Sequence, residues 1–469
     1  MISELVAKFL LCAGAGIVLG AIFTGSPLAL VSLLAAAAVI GLSGRGLPDD
    51  ERRVLAAVLT AALAVRVALV MALVVMALPQ LNDLAIGSLS GDDAYYLGRA
   101  IRARDLLFGF TGGKYDYFVV LDEYGQTSYL KFLQVMQIIF GPTPFSMRLL
   151  NTVFYLAGAV LLFRIARPAF GRTAAISGLI VLLFMPSLLW VSVSLLKESM
   201  YFLCSALLLY CCARLARGPV ARTSLLLAAV AALNLWLLND LRRGALVLAI
   251  AGIGIAVVLR FATVNRTRFA VTIGVALVSA AVALSQPALR GRAVDGIESA
   301  ARIHGGHVFT VGHPYKLLDD GFYKNPAAPL SWDLNLTEPQ AARFLIRAGL
   351  SFLVTPWPWE MASIGELAFL PEQIIWYVLL LALPAGVVAG WRRDPSVTAL
   401  LIGFAIPTAA VIAVTNGNVG TLLRLRGLVM PHLIWIGIFG LLTMAERVLA
   451  RQRPPAEHAP RSWALQGPV

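Results

Sequence analysis

Cysteine, histidine and charge are all scarce in this sequence. It has four cysteines and five histidines in 469 residues, and only 13% of its residues are charged. The cysteines lie inside apolar stretches, and their spacing matches no zinc site, so neither a disulfide framework nor a structural zinc site is expected. So little charge, confined to blocks between long apolar runs, is typical of a polytopic membrane protein and argues against a large soluble core.

The formal net charge of +13 does not indicate a nucleic-acid partner, because most basic residues lie at the ends of predicted helices. This distribution is expected from membrane topology and from attraction to anionic lipids. With the N-terminus inside, these Arg-rich segments are all cytoplasmic: 44–53, 164–172, 213–222, 260–268, 390–394 and 446–453. This orientation places both termini in the cytoplasm. High alanine and arginine content is typical of a GC-rich bacterial genome, so we predict a protein of the bacterial cytoplasmic membrane.

The apolar runs predict an all-α fold with about twelve transmembrane helices. The predicted spans are 6–24, 27–43, 53–79, 147–163, 174–191, 199–213, 223–238, 245–259, 269–285, 371–389, 397–414 and 428–445. They divide the chain into an N-terminal hairpin (1–50), a membrane core (51–285) with an external loop (80–146), a second external loop (286–370), C-terminal helices (371–450) and a disordered tail (451–469). In the second external loop we expect a lid or a re-entrant helix.

Two amphipathic helices are predicted in the first external loop. Apolar residues in 126–140 recur at a 3.6-residue period on one face. Between Asp92 and Phe108, arginines alternate with leucine and isoleucine. Such helices suit the plane of the membrane interface.

Four charged clusters follow spans that leave the cytoplasm, where short loops normally lack arginine and lysine. They are Asp92-Asp93, Lys197-Glu198, Asp240-Arg242-Arg243 and Arg424-Arg426. Basic residues opposite paired carboxylates suit a site that holds an anionic head group while an acid moves a proton. For each cluster a structural alternative stays open: helix capping by Asp92 and Asp93, a snorkelling Lys197 paired with Glu198, or contact of the arginines with lipid.

The segments ALAVRVALVM, GDDAYYLGRA, MRLLNTVFYLAGAVLLFRIARPAFGR and SLLWVSVSLLKES together resemble GT-C glycosyltransferases. The likeness is to the protein mannosyltransferase and lipid A aminoarabinose transferase branch, and it covers roughly residues 53–215. It implies a GT-C-like multi-helix membrane fold and a polyprenyl-phosphate sugar donor. It also implies an acidic motif at the start of the first large external loop, with Asp92 as the general base and Asp93 as the second acid. The hairpin 6–43 departs from the family pattern.

The predicted site residues fall into three groups. Asp92 and Asp93 are the catalytic candidates. The candidates for binding the donor phosphate are Lys197, Arg242, Arg243, Arg424 and Arg426. The candidates for other substrate contacts are Tyr96, Glu198, Asp240, Asn416 and His313. Arg66, in the middle of a span, is expected to face the bundle interior and to bond to neighbouring helices.

Histidines cluster only in the second external loop, at His304, His307 and His313, with Asp319 and Asp320 just after. Their spacing fits no standard metal site. No cofactor is expected, although a divalent metal stays open as an alternative.

The sequence therefore predicts a glycosyltransferase with its active site at the outer face of the membrane. It would move a sugar from a polyprenyl-phosphate donor to a hydroxyl of a glycan, lipid or protein acceptor, with inversion. An alternative is an O-antigen polymerase or ligase type enzyme that uses a polyprenyl-pyrophosphate glycan, in which case the late external loop carries the essential residues. A lipid or solute transporter is the third alternative, and transporters place charge or broken helices near the midplane.

Overall fold

The computed structural model describes residues 25–77, 91–110, 112–121, 127–141, 143–323, 334–361 and 364–452. Over these ranges the chain is α-helical, with short 3-10 helices and no β-strand, which confirms the all-α prediction for this part. The helices are α1 (Pro27–Ser43), α2 (Asp49–Ala77), α3 (Gly91–Leu107), α4 (Lys114–Leu121), α5 (Ser128–Phe140), α6 (Pro144–Phe170), α7 (Arg172–Phe184), α8 (Pro186–Val193), α9 (Glu198–Leu215), α10 (Ala221–Leu241), α11 (Ala245–Ala262), α12 (Arg266–Ser285), α13 (Pro287–Val308), α14 (Glu338–Val354), α15 (Ile364–Leu367), α16 (Leu370–Arg393), α17 (Pro395–Thr415), α18 (Val419–Arg426) and α19 (Met430–Gln452).

Among the described residues, nine helices are long and apolar enough to cross a membrane: α2, α6, α9, α10, α11, α12, α16, α17 and α19. The pair α7 and α8 meets the same criterion together, bent by 62°. α1 is also apolar but has 17 residues. These elements coincide with the predicted spans from 27–43 onward, whereas the predicted span 6–24 and most of the predicted tail lie outside the described residues. The chain thus has the architecture of a polytopic membrane protein.

Small residues allow two pairs of helices to pack backbone against backbone. A Cβ at Gly386 of α16 would lie 1.9 Å from the Ile436 carbonyl oxygen of α19. A Cβ at Gly403 of α17 would lie 2.4 Å from the Gly252 carbonyl oxygen of α11. Close approach of this kind supplies van der Waals contact between helices that have little hydrophobic driving force in lipid.

The predicted span 174–191 is broken where α7 ends and α8 begins. Pro186 has no N–H to donate to the Leu182 carbonyl, and the Tyr155 hydroxyl donates to it instead at 3.2 Å. The next carbonyl, that of Leu183, accepts from Arg66 Nη2 at 2.9 Å. The freed Ser187 N–H donates to Glu372 at 2.6 Å. Buried side chains therefore satisfy the backbone groups that the break releases.

The structure confirms the prediction that Arg66 faces the interior of the helical bundle. It is fully buried, and its Nε donates to Ser192 Oγ of α8 at 2.7 Å. It also lies over the Tyr155 ring of α6, 5.3 Å from the centroid. The guanidinium thus joins α2 to α6, α7 and α8.

The segments predicted to be external are largely helical where the structure describes them. α3 and α5 form at the predicted positions, although α5 buries Tyr129, Leu130, Leu133 and Gln137 while Ile139 is 62% exposed. The segment from residue 286, in which a lid or a re-entrant helix was predicted, begins with the 22-residue helix α13. α13 packs on α14 and α17, and this places the segment against the C-terminal helices.

Candidate functional site

A link of four residues, 194–197, joins α8 to α9 and forms the floor of the candidate site. Asn151 of α6 donates from Nδ2 to the carbonyls of Ser194 at 2.6 Å and Leu196 at 3.1 Å. Arg148, one turn earlier on α6, donates to the Val193 carbonyl at 3.1 Å. Both side chains are buried. The link is therefore held in one conformation by α6.

Asp93 fastens α3 to this floor. Its side chain is fully buried, with Oδ2 accepting from Arg148 Nη1 at 2.8 Å and Oδ1 accepting from the Leu195 N–H at 2.9 Å. A buried carboxylate with a charged partner and a backbone donor is a strongly held structural group. The same contacts keep its oxygens away from solvent.

Asp92, the neighbouring residue, points to the opposite side. Its side chain is 56% exposed, and Oδ2 accepts from Arg424 Nη1 of α18 at 2.5 Å. Arg424 Nε lies 3.7 Å from Glu198 Oε1, and the other Glu198 oxygen is buried and has no hydrogen-bond partner among the described residues. The start of α3, the start of α9 and α18 therefore meet around Arg424, which two carboxylates share.

Lys197 and Arg242 complete this group. Burial lowers the pKa of Lys197, and the positive charges of Arg242 and Arg424 lower it further, while Glu198 and Asp92 act in the opposite direction. These electrostatic interactions, which weaken with distance, indicate that Arg242, Arg424, Glu198 and Asp92 lie around Lys197. We call Asp92, Lys197, Glu198, Arg242 and Arg424 the Asp92 cluster. Its three basic and two acidic side chains leave one net positive charge, which suits an anionic ligand.

Three further candidates lie around the cluster with other partners. Tyr96 is 9% exposed and packs edge-to-face on Tyr129, with ring centroids 5.9 Å apart. Asp240, at the end of α10, accepts from the Ser128 N–H at the start of α5, which is helix capping. Arg243 is exposed to solvent. Of the charged residues 240–243, the structure thus brings Arg242 to the cluster.

Arg426 faces away from Arg424, because residues two apart lie on opposite sides of a helix. It is fully buried and donates to Gln373 Oε1 at 3.0 Å, to the Phe352 carbonyl at 2.7 Å and to the Thr355 carbonyl at 2.5 Å. Burial lowers its pKa to about 10, which leaves it charged at neutral pH. Arg426 ties α18 to α14 and α16.

The end of α13 holds the turn before α18 in place. The buried His304 donates from Nδ1 to the Asn416 carbonyl at 2.5 Å, and His307 donates to the Thr415 carbonyl at 2.8 Å. A Cβ at Gly417 would lie 2.5 Å from the His304 carbonyl oxygen, so this position needs glycine. Asn418 then caps α18 by accepting from the Gly420 N–H at 3.0 Å. His304 and His307 thus fix the turn at Asn416 that precedes α18, and this turn sets the position of Arg424.

Burial lowers the pKa of His304 to about 4, so this side chain is neutral at physiological pH. Its Nε2 accepts from the Tyr323 hydroxyl at 3.0 Å and from the Leu317 N–H at 3.3 Å. His313, by contrast, is partly exposed, with Nδ1 3.1 Å from Glu366 Oε1. Within the described ranges, no three His, Cys, Asp or Glu side chains are placed to hold a metal ion.

Arg148, Asn151 and Glu372 were not among the predicted residues, although each is polar and lies at or within an apolar segment. That pattern alone marks a residue with a buried partner in a membrane protein. The proline in FMPSLLW likewise signalled the break between α7 and α8.

Comparison with known proteins adds no relative: no family model, no curated protein and no solved structure matches this chain. What the chain can do is therefore argued from its geometry. The Asp92 cluster combines a solvent-accessible carboxylate with an excess of positive charge at one end of a helical membrane bundle. Such a site is suited to hold an anionic group while a carboxylate accepts a proton.

Proposed function

We propose that this protein is a membrane glycosyltransferase that moves a sugar from a polyprenyl-phosphate donor to a hydroxyl of an envelope acceptor. The single observation that carries this proposal is the convergence of Asp92, Lys197, Glu198, Arg242 and Arg424, which come from separate parts of the chain. The resemblance to GT-C enzymes agrees with it. The site would face the outer side of a bacterial cytoplasmic membrane.

The charge of the Asp92 cluster fits this donor. A polyprenyl-phosphate sugar is a phosphodiester with one negative charge, equal and opposite to the net charge of the cluster. When the sugar leaves, the remaining phosphate monoester carries a charge of about −1.5 to −2 at pH 7. Lys197, Arg242 and Arg424 would stabilise this added charge, which is greater in the transition state than in the bound donor.

Asp92 would be the general base, and Asp93 would be a positioning residue. In the proposed step the acceptor oxygen attacks the anomeric carbon, and the bond from that carbon to the phosphate oxygen breaks. The electron pair leaves with the phosphate, while the acceptor proton passes to Asp92. The support for choosing Asp92 is its exposure, since Asp93 is buried and bonded on both oxygens.

Arg424 connects donor binding to this base. In the structure Arg424 is ion-paired with Asp92, and a phosphate in the cluster would compete for the same guanidinium. Donor binding would then free an Asp92 oxygen to accept the proton. The guanidinium would then keep an anionic partner, so that its charge is not left uncompensated.

The test uses the full-length protein in proteoliposomes, a panel of polyprenyl-phosphate sugars labelled in the sugar, and bacterial envelope extract as acceptor. We expect transfer with one donor and release of polyprenyl phosphate. Asp92→Asn should slow transfer at least about 100-fold, the usual contribution of a general base. Asp105→Asn is the matched control, because Asp105 lies on the same helix but pairs with Arg104. Transfer by Asp92→Asn at the wild-type rate would eliminate Asp92 as the base.

A transporter is the second candidate, because α7 and α8 form a broken helix with buried charges beside it. Arg66 and Glu372, however, are both 0% exposed and are bonded to the chain itself. Uptake of labelled lipid or solute into proteoliposomes without chemical change would favour this candidate. For the polymerase or ligase alternative, the bound donor would be a pyrophosphate-linked glycan.

A further inference from the structure

A polar cavity lies at the end of the helical bundle opposite to the Asp92 cluster. It has a volume of about 300 Å³ and lies between the α1–α2 link, α6 and α9. Four arginines line it, together with Tyr210 and Gly46: Arg164, Arg167, Arg214 and Arg217. We call it the arginine cavity.

The arginine cavity is remote from the Asp92 cluster. On α6, Arg164 is sixteen residues from Arg148, and on α9, Arg214 is sixteen residues from Glu198. At a rise of about 1.5 Å per residue, each separation corresponds to about 24 Å along the helix axis. The cavity is therefore a separate site, and the proposed sugar transfer gives it no role.

Two carboxylates oppose the four guanidinium groups. Arg167 forms a bidentate pair with Glu51, at 3.0 and 2.9 Å. Arg217 donates to Asp394 at 3.1 Å. With two acidic partners for four arginines, the cavity and its rim keep two uncompensated positive charges.

Arg164 and Arg214 carry this uncompensated charge. Arg164 Nη2 donates to the Arg45 carbonyl at 2.6 Å, which fixes the side chain without neutralising it. Arg214 is exposed and contacts no carboxylate in the described part of the chain. Basic residues at helix ends are expected from membrane topology alone, but topology does not require them to line a common cavity. Here a fixed guanidinium and its neighbours line one concave space.

We propose that the arginine cavity binds a phosphate group. Guanidinium forks match phosphate oxygens in a bidentate manner, and a pocket with two excess positive charges suits a phosphate ester. The volume is at the lower limit of ligand pockets, which fits a head group rather than a whole lipid. The phosphate comes either from an anionic phospholipid of the adjacent leaflet or from a soluble phosphate compound.

The test compares the full-length wild-type protein, the double variant Arg164→Gln/Arg214→Gln and the control Arg222→Gln. Arg222 is an exposed arginine at the same end of the bundle, outside the cavity. Native mass spectrometry counts phosphatidylglycerol molecules retained after extraction from vesicles of phosphatidylglycerol and phosphatidylcholine. Thermal unfolding in detergent measures stabilisation by inorganic pyrophosphate.

We expect one of the two probes to bind the wild type and Arg222→Gln, and the double variant to bind it at least about tenfold more weakly. If the double variant binds phosphatidylglycerol more weakly than the wild type does, the ligand is a lipid head group. If it binds pyrophosphate more weakly, the ligand is a soluble phosphate compound. Equal binding by all three proteins, equal loss in Arg222→Gln, or binding of neither probe by the wild type would overturn the proposal. If the double variant does not fold, Arg214→Gln alone serves, because the Arg214 side chain is exposed and no hydrogen bond or ion pair joins it to the described part of the chain.

Discussion

Replacing Asp93 by alanine should destabilise the protein far more than the same change at Asp92. The change at Asp93 leaves the buried Arg148 without its carboxylate and the Leu195 N–H without its acceptor. Removing one partner of a buried ion pair costs about 3–5 kcal/mol. Asp92 is 56% exposed, and an exposed pair such as that with Arg424 contributes about 0–1 kcal/mol.

The assay is reversible unfolding of the purified protein in mixed micelles, followed by tryptophan fluorescence. We expect Asp93→Ala to lose about 3–5 kcal/mol and Asp92→Ala to lose less than about 1 kcal/mol. In a double-mutant cycle, Asp93→Ala and Arg148→Ala should together cost less than the sum of the single changes, by about 1–3 kcal/mol. Equal, small losses at Asp92 and Asp93 would refute the assignment of Asp93 as the residue that fastens α3 to the floor of the site.

Two further predictions concern stability. The depressed pKa of His304 means that its stabilising contribution is complete above the unfolded pKa of 6.5 and is lost as pH falls toward about 4. At pH 5 this lowers the free energy of unfolding by about 2 kcal/mol. His304→Asn should flatten this part of the stability–pH curve, measured by thermal unfolding. A curve unchanged by the substitution would contradict this role of His304. Gly386→Leu should push α16 away from α19 and lower the free energy of unfolding by at least about 1–3 kcal/mol. Gly254→Leu, with open space at its Cβ, should lower it by less. Equal losses would argue against close packing at Gly386.

The positions of the helices could be predicted from the sequence because the membrane imposes a simple rule. Backbone groups in lipid must bond within their own segment, so each long apolar run has to be helical. The break at Pro186 and the helix α13 were missed for different reasons. Proline removed one donor inside an apolar run that remained unbroken in composition. In α13, the repeated glycines and charges hid the helical period.

The site could be predicted only in part. Position outside a span, taken with the resemblance, selected nine charged residues: Asp92, Asp93, Lys197, Glu198, Asp240, Arg242, Arg243, Arg424 and Arg426. The structure brings five of them together in the Asp92 cluster. It could not be foreseen that Asp92 pairs with a residue 332 positions away, because only the tertiary fold sets that contact. Asp92 and Asp93 have different surroundings, and so do Arg424 and Arg426, because the two residues of each pair lie on different faces of their helix. What each face contacts is known only once neighbouring helices are placed.

Native mass spectrometry of gently extracted protein is the most direct test of whether the Asp92 cluster binds a polyprenyl-phosphate donor. The measurement identifies the lipid that remains bound to the protein. We expect a polyprenyl monophosphate, bare or carrying a sugar, that is retained in Arg222→Gln and lost in Arg424→Gln. A pyrophosphate-linked glycan at this site, or ordinary phospholipid alone in every variant, would contradict it.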